Sequence, residues 1–449
     1  MDITLILNGR KIAPPLAAYY LLSNLEAQGH TADVRYLNLS VLRKEECLPV
    51  DMKKLWKVIN SPKKVIAIGC LNDFLPYVLF LLSENRNAMR GKTIIMGGFG
   101  PAEVAEEIIR QFDFIDYVVK GRDPSILASL LTFIESGESG FSLDGVVWRD
   151  GSRVRYHPAS IDHFHRYIFP SRPFSDEEKV RVFYLVTVEG CPYHCTFCDA
   201  SQALSRSLQY RDLAAIVEEI KWVVRRMGKQ VKFSIVDEAF IVNRTWVLRF
   251  CETLKEHNLN IAWGCFGRID RVDEEMLDIM RDAGCSALYY GLDGATDTIL
   301  RKIKKQFDVK TALERLVLSR SYIDDITASF IWGYPFETLK DFLQMLVTIR
   351  GLGQKGIKTQ LHQLIPVRGT EMYKEYKDAV CFSPDNSYSS VAYPLNREPA
   401  DFLHFVEKNA DIFLAYSTFH TPDREEKLRA LSKVVTVHPP IVHHRRGIG

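Results

Sequence analysis

Three cysteines, Cys191, Cys195 and Cys198, lie close together in the sequence CPYHCTFC. The apolar run over 182–188 precedes them and predicts a strand, and a glutamate and a glycine then predict a turn. Thiols this close on a loop after a strand can converge on one metal centre without help from distant parts of the chain. These residues therefore indicate thiolate ligation of a metal.

Two kinds of metal centre fit the three cysteines. A structural zinc ion takes four ligands, usually from two paired cysteine motifs, and the chain has no second C-x-x-C pair. His194 or Asp199 would then have to supply the fourth ligand. A [4Fe–4S] cluster bound by three thiolates leaves one iron open to a substrate. The residues favour the cluster, and a zinc site or a trio of buried thiols are the alternatives.

The composition sets the general class of protein. The chain has 449 residues and a formal net charge of +2, which predicts two or three domains and gives no support to a nucleic-acid substrate. No apolar run reaches the ~20 residues that span a bilayer, and the N-terminal residues do not form a secretory leader. We therefore expect no membrane partner and a cytoplasmic protein. The nine cysteines indicate reduced thiols plus one cluster rather than disulfides.

The first part of the chain, residues 1–138, alternates strands and helices. Five strands are predicted, at 3–7, 34–37, 64–69, 93–96 and 115–119. This alternation predicts an α/β fold with a doubly wound, five-stranded parallel sheet. Ligands of such sheets bind beyond the carboxyl ends of the strands. The loops of interest are those that follow the strands, at Gly9–Pro15, Cys70–Asp73, Gly97–Pro101 and Gly121–Pro124.

Residues 139–180 are interpreted as a linker that contains a β-hairpin, turning at Asp150-Gly151. Histidines 157, 163 and 165 also lie there, and solvated linker side chains are a simpler interpretation than a metal site. From 181 to 375 the sequence repeats six strand–helix units, which predicts a partial (βα)6 barrel with its chemistry at the carboxyl ends of the strands. In this region, the apolar spacing over 212–227 predicts a helix with Asp212 as its N-cap. Residues 376–449 are predicted to be mostly helical and match no motif.

The cysteine spacing, with Phe197 before the last cysteine, resembles the signature of the radical S-adenosylmethionine (SAM) superfamily. Motifs at five later strand ends resemble the same family: 236–240, 263–270, 290–294, 332–338 and 365–370. The resemblance implies a [4Fe–4S] cluster on the three cysteines. It also implies SAM contacts from Phe197, Asp237, Arg268 and Asp293. Arg268 would offer its donors to the SAM carboxylate, and Asp293 would accept from the ribose or the amine.

The N-terminal domain resembles the cobalamin-binding domain that precedes many radical SAM domains. The Gly97-Gly98 turn and the stretch 116–121 carry this resemblance. It implies cobalamin contacts from seven residues: Pro14, Pro15, Asn72, Asp73, Gly97, Gly98 and Gly121. The D-x-H-x-x-G motif, which supplies a histidine ligand to cobalt in mutases, is absent from the chain. The alternative is a degenerate sheet domain in which the glycines serve only the turn.

The family resemblance implies a cobalamin-dependent radical SAM enzyme. Such an enzyme cleaves SAM reductively to a 5′-deoxyadenosyl radical and methylates an unactivated carbon of a small, natural-product-type molecule. A flavodoxin or ferredoxin would donate the electron. A peptide is a second substrate class, and a non-methylating cyclisation or rearrangement is the alternative reaction. A methylthiotransferase is disfavoured because the N-terminal domain lacks a third cysteine, and a non-enzymatic sensor or carrier is disfavoured by the five further motifs.

Overall fold

A computed structural model describes residues 1–9, 15–37, 50–137, 144–158, 180–200, 206–384, 395 and 398–435. The chain divides into two compact units. The first comprises Met1–Lys179, Phe382–Ser387 and Val391–Tyr416, and the second comprises Val180–Cys381, Tyr388–Ser390 and Ser417–Gly449. Within the described ranges, no helix is both long enough and apolar enough to cross a membrane.

The first unit is built on a seven-stranded sheet. Its strands are β1 (Asp2–Asn8), β2 (Thr31–Leu37), β3 (Val65–Gly69), β4 (Thr93–Gly97), β5 (Tyr117–Val119), β6 (Val146–Asp150) and β7 (Arg153–Tyr156). They lie in the order β2-β1-β3-β4-β5-β6-β7. The five predicted strands are present and pair in parallel. The predicted hairpin also forms, but it adds two antiparallel strands to this sheet, which therefore has seven strands rather than five.

Helices cover both faces of this sheet. They are α1 (Leu16–Ala27), α2 (Met52–Ile59), α3 (Leu75–Glu84), α4 (Arg86–Met89), α5 (Phe99–Glu103), α6 (Ala105–Gln111) and α7 (Ser125–Ser136). Alternate residues of the central strands divide between two apolar cores. Ile66 and Ile68 pack with α2, α3 and α6 on one face, and Val65 and Ala67 pack with α1 and α7 on the other. Strands that are apolar on both sides are typical of a doubly wound sheet, as the sequence predicts.

The C-terminal segment contributes a helix to the first unit. This helix is α15 (Ala400–Lys408), which packs its apolar face on α3. The ring of Phe402 stacks on that of Tyr77 at 4.5 Å. The buried Glu398 accepts a hydrogen bond of 3.0 Å from the Tyr77 hydroxyl. A carboxylate at 9% exposure is tolerated here because a hydroxyl donates to it.

The second unit contains the predicted partial barrel. Its strands are β8 (Val182–Leu185), β11 (Lys232–Ile235), β12 (Ala262–Gly267), β13 (Cys285–Gly291), β14 (Asp325–Trp332) and β15 (Lys358–Gln363). They pair in parallel in sequence order, from β8 at one edge to β15 at the other. A short pair, β9 (Val188–Glu189) and β10 (Gln209–Tyr210), follows β8. Two further short strands are β16 (Val380–Phe382) and β17 (Ser417–Phe419).

Helices alternate with the barrel strands. They are α8 (Leu213–Met227), α9 (Arg244–Glu256), α10 (Glu274–Asp282), α11 (Asp297–Lys302), α12 (Val309–Tyr322), α13 (Leu339–Gln354), α14 (Glu371–Tyr376) and, near the C-terminus, α16 (Arg424–Val435). The predicted helix over 212–227 is confirmed, and the Asp212 side chain caps it by accepting from the Ala214 amide. Polar side chains begin most of these helices because they satisfy amides that the first turn leaves unpaired.

Candidate functional site

The cysteine loop begins just after β9 and carries three half-buried thiols. Gly190, at a φ of 103°, turns the chain into the loop, and the Cys198 amide donates to the Cys195 carbonyl at 3.2 Å. Burial raises the pKa of the Cys191 thiol; the neighbouring Cys195 adds to the rise, and Arg268 opposes it. Cys191 thus lies within electrostatic range of both a second thiol and a cation.

Two buried charged side chains hold the turn that leads into this loop. Asp237, at 1% exposure, accepts hydrogen bonds from the Thr187 amide at 2.8 Å, the Thr187 hydroxyl at 2.5 Å and the Val188 amide at 3.0 Å. Arg211 donates to the Val186 carbonyl at 2.7 Å and pairs with Glu219 at 2.7 Å. Asp237 therefore uses both of its oxygens on the turn before the cysteines, and its contact with SAM stays a prediction.

The middle of the cysteine loop is anchored to two helices. The Thr196 amide donates to the Ile303 carbonyl at 3.4 Å, and the Met372 amide donates to the Thr196 carbonyl at 2.9 Å. Phe197 packs against an apolar cluster that includes Tyr334, with the two rings edge to face at 6.0 Å. The predicted SAM contact Phe197 is thus at least a packing residue that fixes the loop.

Arg268 lies at the end of β12 and faces the cysteine loop. Its guanidinium carbon is 3.8 Å from the centroid of the Tyr193 ring, between two cysteines in sequence. Its Nε and Nη2 donate to the two oxygens of Asp270 at 2.9 and 3.2 Å, and Nη2 also donates to the Lys305 carbonyl. Its Nη1 is buried and has no hydrogen-bond partner among the described residues.

Asp293 follows β13 and forms a buried ion pair with Lys305. The Lys305 Nζ lies 2.5 Å from an Asp293 carboxylate oxygen, with both side chains at most 10% exposed. Burial would lower the pKa of Lys305, but Asp293 and then Cys195 hold it above its usual range. This charge pattern places a buried cation within electrostatic range of the cysteine loop.

The backbone around this ion pair is unusually constrained. Asp293 has a φ of 61°, and so do the two residues that flank Lys305, with φ values of 61° for Lys304 and 60° for Gln306. Non-glycine residues rarely adopt this left-handed region, which costs roughly 1–2 kcal/mol per residue. Such strain persists where surrounding contacts fix it, and it is commonest at functional sites. Here a hydrogen bond of 2.9 Å from the Tyr334 hydroxyl to the Asp293 carbonyl is one such contact.

One face of the barrel sheet carries partly buried aromatic and polar side chains. The opposite face packs on helices: the Tyr290 hydroxyl bonds Ser319 of α12 at 3.1 Å. Tyr289, the next residue along β13, therefore points to the barrel interior. Its ring packs edge to face on Phe266 at 5.1 Å. Its hydroxyl lies 2.7 Å from the Gln360 oxygen and 3.3 Å from the His362 Nε2.

In the first unit, the predicted cobalamin residues follow three of the parallel strands or precede α1. Asn72 and Asp73 follow β3, and the Asp73 carboxylate accepts from the side-chain amide of Asn8 at 3.2 Å, so the ends of β1 and β3 meet. Asn72 donates to Glu103 at 3.4 Å. Gly121 follows β5, and its amide donates to the Gly145 carbonyl at 3.0 Å. Pro15 immediately precedes α1, and Pro14 lies outside the described residues.

Gly97 ends β4 and Gly98 follows it, and only at Gly98 does the backbone require a glycine. Gly98 has a φ of 88°, and a Cβ there would lie 2.7 Å from the Cys70 carbonyl oxygen, whereas a Cβ on Gly97 would make ordinary contacts at 3.6 Å. Close backbone approach therefore accounts for Gly98 without a ligand. Phe99, the next residue, has its side chain 53% exposed at this edge, with the Arg122 guanidinium 5.3 Å from its ring centroid.

Three residues that shape the site escaped the sequence reasoning. Lys305 and Asp270 pair with predicted residues, and Arg211 holds the turn before the cysteines. Asp270 lies two positions after Arg268, and this spacing is only weak sequence evidence that the two side chains pair. Lys305 lies twelve positions after Asp293 in a run of charged residues, where a lysine is normally solvated. Only the fold shows that this lysine is buried.

The donor set of the site suits an iron–sulfur cluster and an anionic ligand. No group of three or more His, Cys, Asp or Glu side chains in the described ranges has the arrangement of a single-ion site. The thiolates of an iron–sulfur cube bind different irons, so they need not converge on one point as ligands of a single ion do. The partnerless, buried Nη1 of Arg268 is a donor that a carboxylate of a ligand would satisfy. The three thiols and this donor therefore fit a cluster with SAM.

Comparison with known proteins identifies the second unit. Residues 185–349 match the model of the radical SAM superfamily. This part of the chain is therefore a radical SAM domain, and the resemblance predicted from the cysteine loop is confirmed.

A solved structure and two curated relatives extend this result. The fold resembles that of TsrM, a radical SAM methyltransferase from Kitasatospora setae solved with cobalamin and a [4Fe–4S] cluster, with a TM-score of 0.71 at 18% identity over 99% of this chain and 92% of that one. An uncharacterized methyltransferase of Pyrococcus horikoshii is 22% identical over 336 residues, 73% of this chain and 71% of that protein.

The second curated relative has a different reaction in its name. The anaerobic magnesium-protoporphyrin IX monomethyl ester cyclase of a Synechocystis strain is 26% identical over 282 residues, which cover 60% of this chain and 56% of the cyclase. The architecture of the chain is thus that of a radical SAM enzyme with an additional N-terminal α/β sheet, and its relatives include methyltransferases and cyclases.

Proposed function

We propose that the protein is a cobalamin-dependent radical SAM enzyme that methylates an unactivated carbon of a small, natural-product-type molecule. The observation that carries this proposal is the buried Nη1 of Arg268, which has no partner among the described residues and belongs to a side chain stacked against the cysteine loop. A buried guanidinium donor without an acceptor is costly. An anionic ligand at the cysteine loop would remove that cost.

The residues of the second unit have distinct roles in this proposal. Cys191, Cys195 and Cys198 would hold the [4Fe–4S] cluster, and Arg268 would donate Nη1 to the SAM carboxylate. Asp270 accepts from the other two nitrogens of the guanidinium, Nε and Nη2, and so fixes its orientation. Lys305 would add a second positive charge, and Asp293 would orient it. When bound, the cluster and SAM supply reductive C–S cleavage and a radical.

Cobalamin would bind at the carboxyl ends of β1, β3, β4 and β5 in the first unit, where ligands of such sheets bind. Asn72 and Asp73 would offer polar contacts, Gly97 and Gly121 would let the backbone approach the ligand, and Gly98 would hold the turn between them against Cys70. The exposed ring of Phe99 is an apolar surface at the same edge that a flat ligand would cover. TsrM, which shares this fold, was solved with cobalamin. Bound cobalamin would supply the methyl group.

The substrate would bind against the interior face of the barrel. Phe266 and Tyr289 form an aromatic wall, and Gln360 and His362 offer hydrogen bonds beside the Tyr289 hydroxyl. A pocket of aromatic side chains with a few polar groups suits a small molecule, and a TsrM structure holds tryptophan with a SAM analogue. A peptide is the second substrate class. A flavodoxin or ferredoxin would supply the electron.

Methyl transfer is the step that the experiment must test. Anaerobically reconstituted protein, loaded with hydroxocobalamin and reduced, is supplied with SAM that carries a deuterated methyl group. The expected result is a labelled methyl on the product together with S-adenosylhomocysteine. Substrate-dependent 5′-deoxyadenosine with an unlabelled product of unchanged methyl count would contradict methylation.

A non-methylating cyclisation or rearrangement is the second candidate reaction, with the same cofactors. The specific observation in its favour is the cyclase from Synechocystis among the curated relatives, at 26% identity. The labelling experiment separates the two, because only a methyltransferase transfers the deuterated group. Protein that forms no 5′-deoxyadenosine at all would instead be a sensor or carrier.

A further inference from the structure

A buried lysine connects the C-terminal helix to the radical SAM site of the second unit. Lys427 lies on α16, in the region that matched no motif, and its side chain is fully buried. Its Nζ donates to the Glu337 carbonyl at 2.7 Å and pairs with carboxylate oxygens of Glu337 at 3.2 Å and Asp423 at 3.0 Å. A lysine is almost never fully buried unless it is paired. This position is therefore specified by its partners.

Glu337, the partner of Lys427, also forms hydrogen bonds within the loop that follows β14. Its carboxylate accepts from the Gly333 amide at 2.9 Å, and its own amide donates to the Tyr334 carbonyl at 3.0 Å. Gly333 has a φ of 90°, in the left-handed region that favours glycine. Lys427 and Glu337 together hold the loop 333–337 closed on itself.

The loop 333–337 contacts both Asp293 and the cysteine loop, which belong to the proposed SAM site. The Tyr334 hydroxyl donates to the Asp293 carbonyl at 2.9 Å. The Tyr334 ring, fully buried, packs edge to face on Phe197 of the cysteine loop. Phe336 also stacks on Tyr334, with centroids 5.6 Å apart and planes 7° apart. A shift of the 333–337 loop would therefore displace both Asp293 and Phe197, the residue by which the cysteine loop packs on Tyr334.

We propose that Lys427 is a positioning residue for SAM binding, so that α16 completes the active site from outside the radical SAM motifs. This inference rests on the proposed use of SAM. A buried ion pair contributes little net stability over an apolar replacement, but removing one partner leaves an uncompensated charge. The Lys427–Glu337 pair is better explained by the single geometry that it imposes on the 333–337 loop than by stability.

The test compares Lys427→Met with Lys433→Met, a matched change of an exposed lysine on the same helix. Reconstituted proteins are measured for iron content, for the SAM dissociation constant by equilibrium dialysis, and for the change that SAM produces in the spectrum of the reduced cluster by electron paramagnetic resonance. We expect Lys427→Met to bind SAM about tenfold more weakly and to show a smaller spectral change, with wild-type iron content. Lys433→Met should match the wild type in all three.

A third variant tests the route of the coupling. Tyr334→Phe removes the hydrogen bond to Asp293 and leaves the ion pair intact. Because both changes act through one loop, the double variant should lose little more affinity than Lys427→Met alone. Fully additive losses, or wild-type affinity in Lys427→Met, would overturn the inference. If Lys427→Met does not fold, the comparison is made with Lys427→Met/Glu337→Gln, which removes the uncompensated charge. Failure of the wild type itself to bind SAM would contradict the proposed function instead.

Discussion

Replacing Asp237 should loosen the cysteine loop, because this carboxylate is the acceptor for three donors of the turn before it. The hydrogen bonds come from the Thr187 amide and hydroxyl and from the Val188 amide, at 2.5 to 3.0 Å. In Asp237→Ala all three donors would lose their acceptor in a site that is 1% exposed. Each unsatisfied buried donor costs about 1–3 kcal/mol.

The sum is about 3–6 kcal/mol after allowing for partial relaxation of the turn. That is a large share of the 5–15 kcal/mol or so that stabilises a typical domain. Asp237→Asn keeps one oxygen acceptor and turns an amide group toward the remaining donors. It should therefore lose about 1–3 kcal/mol, less than the alanine variant.

The pH dependence of this loss follows from the burial of Asp237. Burial raises the pKa of its carboxyl group to about 7, although the Thr187 and Val188 donors oppose the rise. A carboxyl group whose pKa is raised on folding contributes stability below its unfolded pKa, and that contribution disappears as the pH rises through about 7. Asparagine does not titrate, so the loss in Asp237→Asn relative to the wild type should shrink between pH 5 and pH 8.

Urea unfolding of the apoprotein, followed by tryptophan fluorescence, measures this prediction. Four of the six tryptophans, at positions 222, 246, 263 and 332, belong to the second unit, so the signal reports mainly on the unit that contains Asp237. Iron retained after reconstitution and desalting gives the functional measurement, and it should fall in both variants. An alanine variant with wild-type unfolding and iron content would refute the role of Asp237. So would a loss in the asparagine variant that grows with pH.

Three further substitutions, the last with a matched control variant, test other contacts in the two units. Lys305→Met leaves Asp293 buried without its partner, so we expect about 3–5 kcal/mol of destabilisation together with weaker SAM binding. An unchanged thermal unfolding midpoint would contradict the buried ion pair. Arg268→Lys keeps a charge but loses the planar donors, so the SAM dissociation constant, measured by dialysis, should rise about tenfold or more, and wild-type affinity would remove Arg268 from the site. Gly98→Ala should lower the thermal midpoint of the first unit, at a cost of roughly 2 kcal/mol or more, whereas Gly97→Ala should not; equal effects would contradict the close approach to Cys70.

The barrel was predictable because its sequence signals are local. Five of the six barrel strands are rich in apolar residues, the exception being β15 (KTQLHQ), and the six strands pair in chain order. Parallel strands in sequence order place their carboxyl ends on one edge, so motifs at those ends could be expected to meet. Arg268 and Asp293 do follow β12 and β13, as predicted, and both are almost fully buried there.

The parts of the site that depend on burial were not predictable. The sequence shows Asp237 at a strand end but not that three donors of the turn before the cysteines would occupy its oxygens. The sequence predicts solvated side chains for Lys305 and Lys427, because spacing alone does not reveal which lysines are buried. The hairpin over 145–156 was predicted, yet its pairing with β5 was not, because strand order at a sheet edge depends on long-range contacts.

The most direct test of the proposed function is the cobalamin content of the protein after anaerobic reconstitution of the cluster, addition of hydroxocobalamin and removal of unbound ligand. We expect a [4Fe–4S] cluster, seen as iron and sulfide bound to the chain, together with about one equivalent of cobalamin at the first unit. A protein that binds the cluster but retains no cobalamin would contradict the cobalamin-dependent reaction and leave a simpler radical SAM enzyme.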